Sequence, residues 1–263
     1  MKNYPHLISK VYREPWCILP SKHQAIRSAL EAHLAGMVSP ADQERDEQEE
    51  PQQEGSQLII PITGVIGQHL SGMEMDCGGY SLDTLADVLD VAEEDDSIEE
   101  IILNINSPGG TVTGVPEMAE RIAQIDKKVI AFTDSQMCSA AYYLAAGADE
   151  IYCTKSADVG SIGVYAVYMD YSRNLANEGV VVNAISAGTD KLMGAWWKPM
   201  SEDEKAKIQA SVDKIADGFR SHVTTFRDSV KLQSMQGQVF DGEDACLNGL
   251  CDSVIPSLSQ LLR

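Results

Sequence analysis

Three short segments hold the residue types that could do chemistry together. The first is TDSQMCSAAYYLAAG at 133–147, in which Ser139 follows an apolar strand candidate and precedes a run of small residues. Small residues let a helix start hard against a sheet. A hydroxyl there stands among free helix amides, which stabilise negative charge, as a serine nucleophile in acyl transfer requires. The same position also reads as a plain helix N-cap. Cys138 is adjacent, but neighbouring residues point in different directions, so the serine is the better placed of the two.

The second segment is NSPGG at 106–110, directly after the apolar run Ile101–Ile105. Paired glycines admit positive φ and turn backbone N–H groups toward one point. Gly109 and Gly110 therefore suit a developing oxyanion, and equally an ordinary strand-to-helix turn. The third segment is SAGTDKLMGAWW at 186–197, where Lys191 is followed by apolar and aromatic neighbours. A lysine accepts a proton only when neutral, and its ordinary pKa is ~10.4. Burial among apolar groups lowers that by up to ~3–5 pH units, so such a flank is what a lysine base needs; the alternative is a surface lysine in a loop. Histidine is the commoner base, but none lies between Ser139 and His222. His6, His23 and His33 fall early in the chain, His69 in a Gly-rich stretch, and His222 on a long helix candidate.

These segments need a framework that brings distant parts of the chain together. Apolar, β-branched runs at Leu58–Ile62, Ile101–Ile105, Val129–Phe132, Glu150–Cys153 and Val180–Ile185 predict strands. Helical stretches lie between them at Ser81–Ala92, Pro116–Ile125 and Ser139–Ala146. Strand–helix alternation with nearly continuous apolar strands predicts an α/β domain around a largely parallel, buried sheet. A long helix follows from Ser201, with Ser201 and Glu204 as a capping box. Its stripe, Ile208, Val212, Ile215, Phe219, Val223, Phe226 and Val230, predicts core or subunit interface. Residues 1–38 predict an N-terminal helical segment, with a helix from Ser21 to about Gly36. The acidic, Gln-rich residues 39–57 predict a flexible linker. Residues 58–263 form the main domain.

Composition narrows the partners. Of 263 residues, 44% are apolar, enough for a core, and the net charge of −20 argues against a nucleic-acid binder or docking onto anionic lipid. Six cysteines lie without CxxC or Cys/His ligand spacing, which predicts reduced thiols rather than a metal site or disulfide framework. No run approaches the ~18 apolar residues of a membrane span.

Taken together, NSPGG at 106–110, SAAYY at 139–143, VGSIGV at 159–164, SAGTDKLMG at 186–194 and GQVFDGEDACLNGLCDSV at 237–254 resemble the signal peptide peptidase A family of serine peptidases. They are most similar to its tailed-phage branch of prohead, or capsid maturation, proteases. The resemblance covers residues 58–255. It implies a Clp/crotonase-like α/β fold with a largely parallel sheet flanked by helices, beside the N-terminal helical segment. It implies a Ser139–Lys191 dyad, oxyanion amides from Gly109 and Gly110, and Ser161 orienting the lysine, with no metal or cofactor. Tyr142 and Tyr143 would pack the nucleophile helix. Ala140 and Ala141 depart from the glycines common in the signal-peptide branch, and the membrane anchor of that branch is absent. The implied substrates are capsid, scaffold and portal proteins, or the chain's own N-terminal or linker region. The implied setting is the cytoplasm of a bacterial host or the interior of a prohead, as a homo-oligomer such as a ring, with any scaffold a separate product. Two other readings stay open: an assembly factor that keeps the fold without the activity, and another Clp/crotonase-fold enzyme of Ser–His–Asp or acyl-CoA type.

Overall fold

A computed structural model describes residues 11, 14–34 and 49–263; the predicted segment 1–38 falls partly, and the linker core 39–48 wholly, outside the described residues. In chain order the elements are β1 (Trp16–Ile18), α1 (Pro20–Leu34), β2 (Gln52–Glu54), β3 (Gln57–Thr63), β4 (Val65–Gly67), α2 (Gly72–Asp76) and β5 (Gly79–Ser81). There follow α3 (Leu82–Glu94), β6 (Glu100–Asn106), β7 (Gly109–Thr111), α4 (Val115–Ile122), β8 (Lys128–Thr133), β9 (Gln136–Cys138) and α5 (Ala140–Ala146). The last are β10 (Glu150–Cys153), β11 (Asp158–Gly160), α6 (Ser172–Asn177), α7 (Glu202–Phe226), β12 (Val239–Phe240), α8 (Gly242–Leu247) and β13 (Ser253–Val254).

The main sheet has six strands in the order β13-β10-β8-β6-β3-β2. Every pairing in it is parallel except that of β2 with β3. Both of its faces are covered, which is why the middles of β3, β6 and β8 read as nearly continuous apolar runs rather than alternating ones. On one face α3, α4 and α5 complete the large core, with Leu85, Leu89, Ile122 and Leu144 fully buried or nearly so. On the other, Ile59, Ile102, Ile130 and Phe132 are covered by Leu258, Leu261 and Leu262 from the C-terminal segment. Gln57 ties that segment down, donating to the Leu261 carbonyl at 2.8 Å and accepting from the Arg263 amide at 2.9 Å.

Two smaller sheets stand at the carboxyl ends of the parallel strands: β1-β7-β4-β5 and β12-β11-β9. They turn the ends of β6 and β8 into a platform. The capping box of α7 is present as predicted, with Glu204 N–H donating to Ser201 Oγ at 3.2 Å and Ser201 N–H donating to the Glu204 carboxylate at 2.9 Å. Only the second half of α7 is core. Phe219 is fully buried and stacks on Tyr143 at 4.4 Å, so that Phe219→Ala should cost about 3–5 kcal/mol through lost burial and the cavity left behind.

Two elements differ from the sequence reading. Gln52–Glu54 is an edge strand and Gln57 opens β3, so the sheet begins inside the stretch expected to be linker. Polar residues suffice there because a strand at a sheet edge needs only its backbone paired. Conversely, Val180–Ile185 is no strand, and its residues are exposed. Its composition fits a sheet, but no strand among the described residues pairs with it.

Candidate active site

Ser139 joins β9 to α5 with φ 55° and ψ −116°. A non-glycine residue at positive φ costs of order 1–3 kcal/mol. It occupies the N-cap position, yet its side chain makes no capping hydrogen bond, so the plain N-cap reading fails. Two bonds impose the geometry: Ser139 N–H donates to Gly160 O at 2.8 Å, and Tyr143 N–H donates to Ser139 O at 2.9 Å. The hydroxyl, 1% exposed, makes a long contact of 3.5 Å to Gly163 O and meets the Cys17 thiol. Tyr142 and Tyr143 pack α5 into place, Tyr142 by donating its hydroxyl to Leu250 O at 2.9 Å.

Gly109 and Gly110 lie in β7, which is hydrogen-bonded to β1 and β4. A Cβ at Gly109, where φ is 105°, would stand 2.1 Å from the Cys17 carbonyl oxygen; at Gly110 it would stand 1.9 Å from that of Ile66. Neither position admits a side chain. The two amides are not equivalent, because Gly109 N–H donates to the buried Ser107 hydroxyl at 3.2 Å. Ser161 is the other serine of this region with positive φ, 52°, and its N–H donates to Gln238 O at 2.6 Å. It follows Gly160, the acceptor for the Ser139 amide, so both strained serines hang on one turn.

Lys191 and Ser139 differ in setting, the serine buried and the lysine in solvent. It is exposed in a turn closed by its own N–H to Gly188 O at 3.3 Å, and it makes no side-chain hydrogen bond with the serine. Its neighbour Asp190 pairs with Lys207 on α7 at 2.7 Å, which holds the turn near the base of that helix. Every residue from Ala176 to Lys191 is exposed, while in the apolar flank beyond it Leu192 and Trp197 are half-buried and Trp196 stands edge-on to Tyr171 and Trp197, so the flank forms without covering Lys191.

The competing chemistries fare worse. Burial pushes the Cys138 thiol up to about 12, which leaves it protonated and unreactive. His222 stacks on Tyr143 at 4.7 Å and leans on Phe226 at 4.8 Å, with no hydrogen bond to Ser139. Burial lowers its pKa from 6.5 to about 4, opposed by a hydrogen bond with the Tyr143 backbone. Between those values the unfolded chain takes up a proton that the folded chain refuses. The stability held at pH 7 should therefore drain away as pH falls from about 6.5 to 4, by on the order of 2 kcal/mol from this group. His222→Phe should flatten that share of the slope in urea melts at stepped pH; an unchanged slope would mean the imidazole is not desolvated.

The cysteines depart from their scattered appearance in sequence. Cys153, Cys246 and Cys251 bring their sulfurs within 4.8 Å of one another, the one group among the described residues with the makings of a metal-ligand set. Thiols of Cys251 and Cys153 lower Cys246 to about 7. The trio lies on β10, α8 and the residue run before β13, away from the Ser139 hydroxyl contacts. Spacing could not reveal it, since Cys153 is separated from the other two by most of the C-terminal third of the chain. Cys17 was also missed: nothing in its sequence context signals contact with Ser139.

The platform of parallel strands with helices on its faces is a Clp-like α/β fold, and residues 79–159 match the Clp protease model. Residues 121–258 match the model of Peptidase family S49, and the chain belongs to that family. Capsid assembly protease C of Escherichia phage lambda is 25% identical over 283 residues, covering 98% of this chain and 64% of that protein. Head-tail preconnector protein GP5 of Enterobacteria phage P21 is 25% identical over 279 residues, covering 97% and 56%. Protease 4 of Haemophilus influenzae is 29% identical over 203 residues, covering 74% and 32%. The chain thus spans less than two thirds of the length of each. No helix among the described residues is long and apolar enough to cross a membrane.

Proposed function

We propose that the chain is a serine endopeptidase that processes capsid, scaffold or portal proteins during phage or prophage head assembly. Ser139 is the nucleophile and Lys191 the general base. The neutral amine takes the hydroxyl proton as the oxygen attacks a peptide carbonyl. Gly110 N–H meets the oxyanion, while Gly109 is left to brace the turn through Ser107. The resulting ammonium protonates the leaving amine, which departs and leaves an acyl ester on Ser139. Water, deprotonated by the same amine, then hydrolyses the ester and the proton returns to the serine oxygen. Ser161, strained beside the turn that holds Ser139, is suited to orient the lysine. The observation that carries this reading is Ser139 held in a strained conformation, capping nothing, beside a strand that only glycine can build.

The dyad requires Lys191 to leave solvent. Val180, Val181, Val182 and Ile185 form an exposed apolar run with no strand beside it, a liability for a lone chain and a ready surface for pairing. A second copy of the chain covering this run, in a ring or smaller homo-oligomer, would dry the amine and bring it to a serine. Light scattering should give a mass that is a multiple of 28.6 kDa, and activity per chain should fall when dilution dissociates the assembly.

The direct test is incubation of the purified protein with the capsid, scaffold and portal proteins of the same phage, followed by mass spectrometry of the products. New internal termini should appear, and should be missing with Ser139→Ala. Intact substrates after incubation with the assembled oligomer would sink the proposal.

A further inference from the structure

The N-terminal strand β1 lies directly over the candidate nucleophile. It runs antiparallel to β7, with Trp16 opposite Thr111, Cys17 opposite Gly110 and Ile18 opposite Gly109. Leu19 N–H continues the ladder to Pro108 O at 3.0 Å. On its other edge Trp16 N–H donates to Tyr165 O at 2.9 Å, and Tyr165 N–H donates back to Trp16 O at 3.1 Å. A three-residue strand is thus bonded along both edges. Its central side chain, Cys17, points at the Ser139 hydroxyl, and both residues are sealed from water at 2% and 1% exposure.

We infer that β1 is a resident peptide in the cleft where substrate binds, an internal competitor that must be displaced before Ser139 can act. The inference rests on the peptidase reading above and adds how that site is regulated. With β1 lifted away, two unpaired backbone edges remain, that of Gly109–Thr111 and that of Tyr165, on either side of Ser139. Such a slot takes an extended peptide through main-chain bonds, with side chains at alternate positions setting preference. The slot needs glycine in β7, because a Cβ at Gly109 would stand 2.1 Å from the Cys17 carbonyl and would bar any peptide backbone in that place.

The anchor that holds β1 in place is separate from the nucleophile. The Trp16 ring packs on His23 at 5.1 Å, His23 packs on Tyr165 at 5.7 Å, and His23 Nε2 bonds to Val11 O at 2.9 Å. The strand is tethered to the rest of the chain, so its effective concentration at the cleft exceeds that of a free peptide. Weakening the anchor raises the open fraction, and apparent affinity for an added peptide rises in proportion.

The test uses Ser139→Ala chains, so that binding is read without chemistry. A fluorescent peptide of residues 14–21, EPWCILPS, is titrated by anisotropy against Ser139→Ala and against Ser139→Ala/Trp16→Ala. The double variant should bind on the order of tenfold tighter or better. Equal affinity with both chains folded would mean that β1 is a permanent strand, and the inference would fall. Hydrogen exchange supplies a second reading that needs no change at Trp16. In Ser139→Ala the Trp16 and Leu19 amides should exchange well before those of β6, and faster still when the peptide is added. Protection equal to β6, unmoved by peptide, would overturn the proposal. Neither readout depends on Ser139 being reactive, so a failed peptidase assay and a failed displacement remain separate results.

Discussion

Ser139→Ala and Lys191→Arg should each lower peptide-bond cleavage by on the order of 10⁴-fold or more, to background, with the fold intact. The serine side chain contributes little to stability, since its hydroxyl makes only the 3.5 Å contact to Gly163 O and the Cys17 contact. Alanine at the same φ carries the same strain as serine. Lys191 is exposed in the single chain, and surface changes of this kind stay within about 0.5 kcal/mol. Arginine is the informative replacement because it keeps the charge, the length and any ion pairing but cannot give up its proton. A lysine serving as a base makes Lys191→Arg as inactive as Lys191→Ala. A lysine serving only as a positive charge leaves Lys191→Arg active. Cleavage at the native rate by Ser139→Ala, or by Lys191→Arg, measured with matched melting curves, would remove that residue from the mechanism.

Gly110→Ala should be the most damaging single methyl group in the molecule. Its Cβ would lie 1.9, 2.6 and 2.8 Å from the O, C and Cα of Ile66, all backbone. No flexible side chain can yield, so β4 must separate from β7, at a cost of about 3 kcal/mol or more. Because β7 carries the proposed oxyanion amide, activity should vanish together with the stability. The contrast is Gly218, inside α7 with nothing within 4 Å of its would-be Cβ. Gly218→Ala should gain about 0.5–1 kcal/mol through helix propensity. Urea midpoints for the two variants should therefore move in opposite directions. A Gly110→Ala chain melting with the native protein would show that the two strands are not packed as described.

The parallel core was readable because burial on both faces writes itself into the chain. Val129–Phe132 is apolar throughout and Ile101–Ile105 is broken only by Asn104, and each became a central strand. The place of Ser139 between a strand and a helix was readable for a local reason: a strand, a polar turn, a serine and a pair of alanines leave few geometries. The small sheets were not readable. Strands of three residues such as Val65–Gly67 and Gly79–Ser81 show no period, and their glycines answer to close neighbours instead, the Leu70 side chain at Gly67 and the Glu74 backbone at Gly79. Val180–Ile185 shows the opposite failure, for β-branched residues say that a segment suits a sheet without saying where its partner lies. The Lys191 environment is a related case: Trp196 stands edge-on to Tyr171 and Trp197, yet Lys191 itself stays exposed, and the sequence does not say which side of such a turn faces solvent. Cys17 over Ser139 and the trio Cys153, Cys246 and Cys251 arise only when distant segments fold together, and no spacing rule reaches across such gaps.

The two serines at positive φ, Ser139 and Ser161, meet at one turn, where the Ser139 amide is bound by Gly160. Glycine would sit more comfortably at either position. Selection for thermal robustness alone would thus pull both away from serine, and a chain evolved only to be hardy would lose its proposed nucleophile first. On that proposal durability and reactivity are opposed at this corner, so the variants that melt highest here are the ones to distrust as models of the native chain.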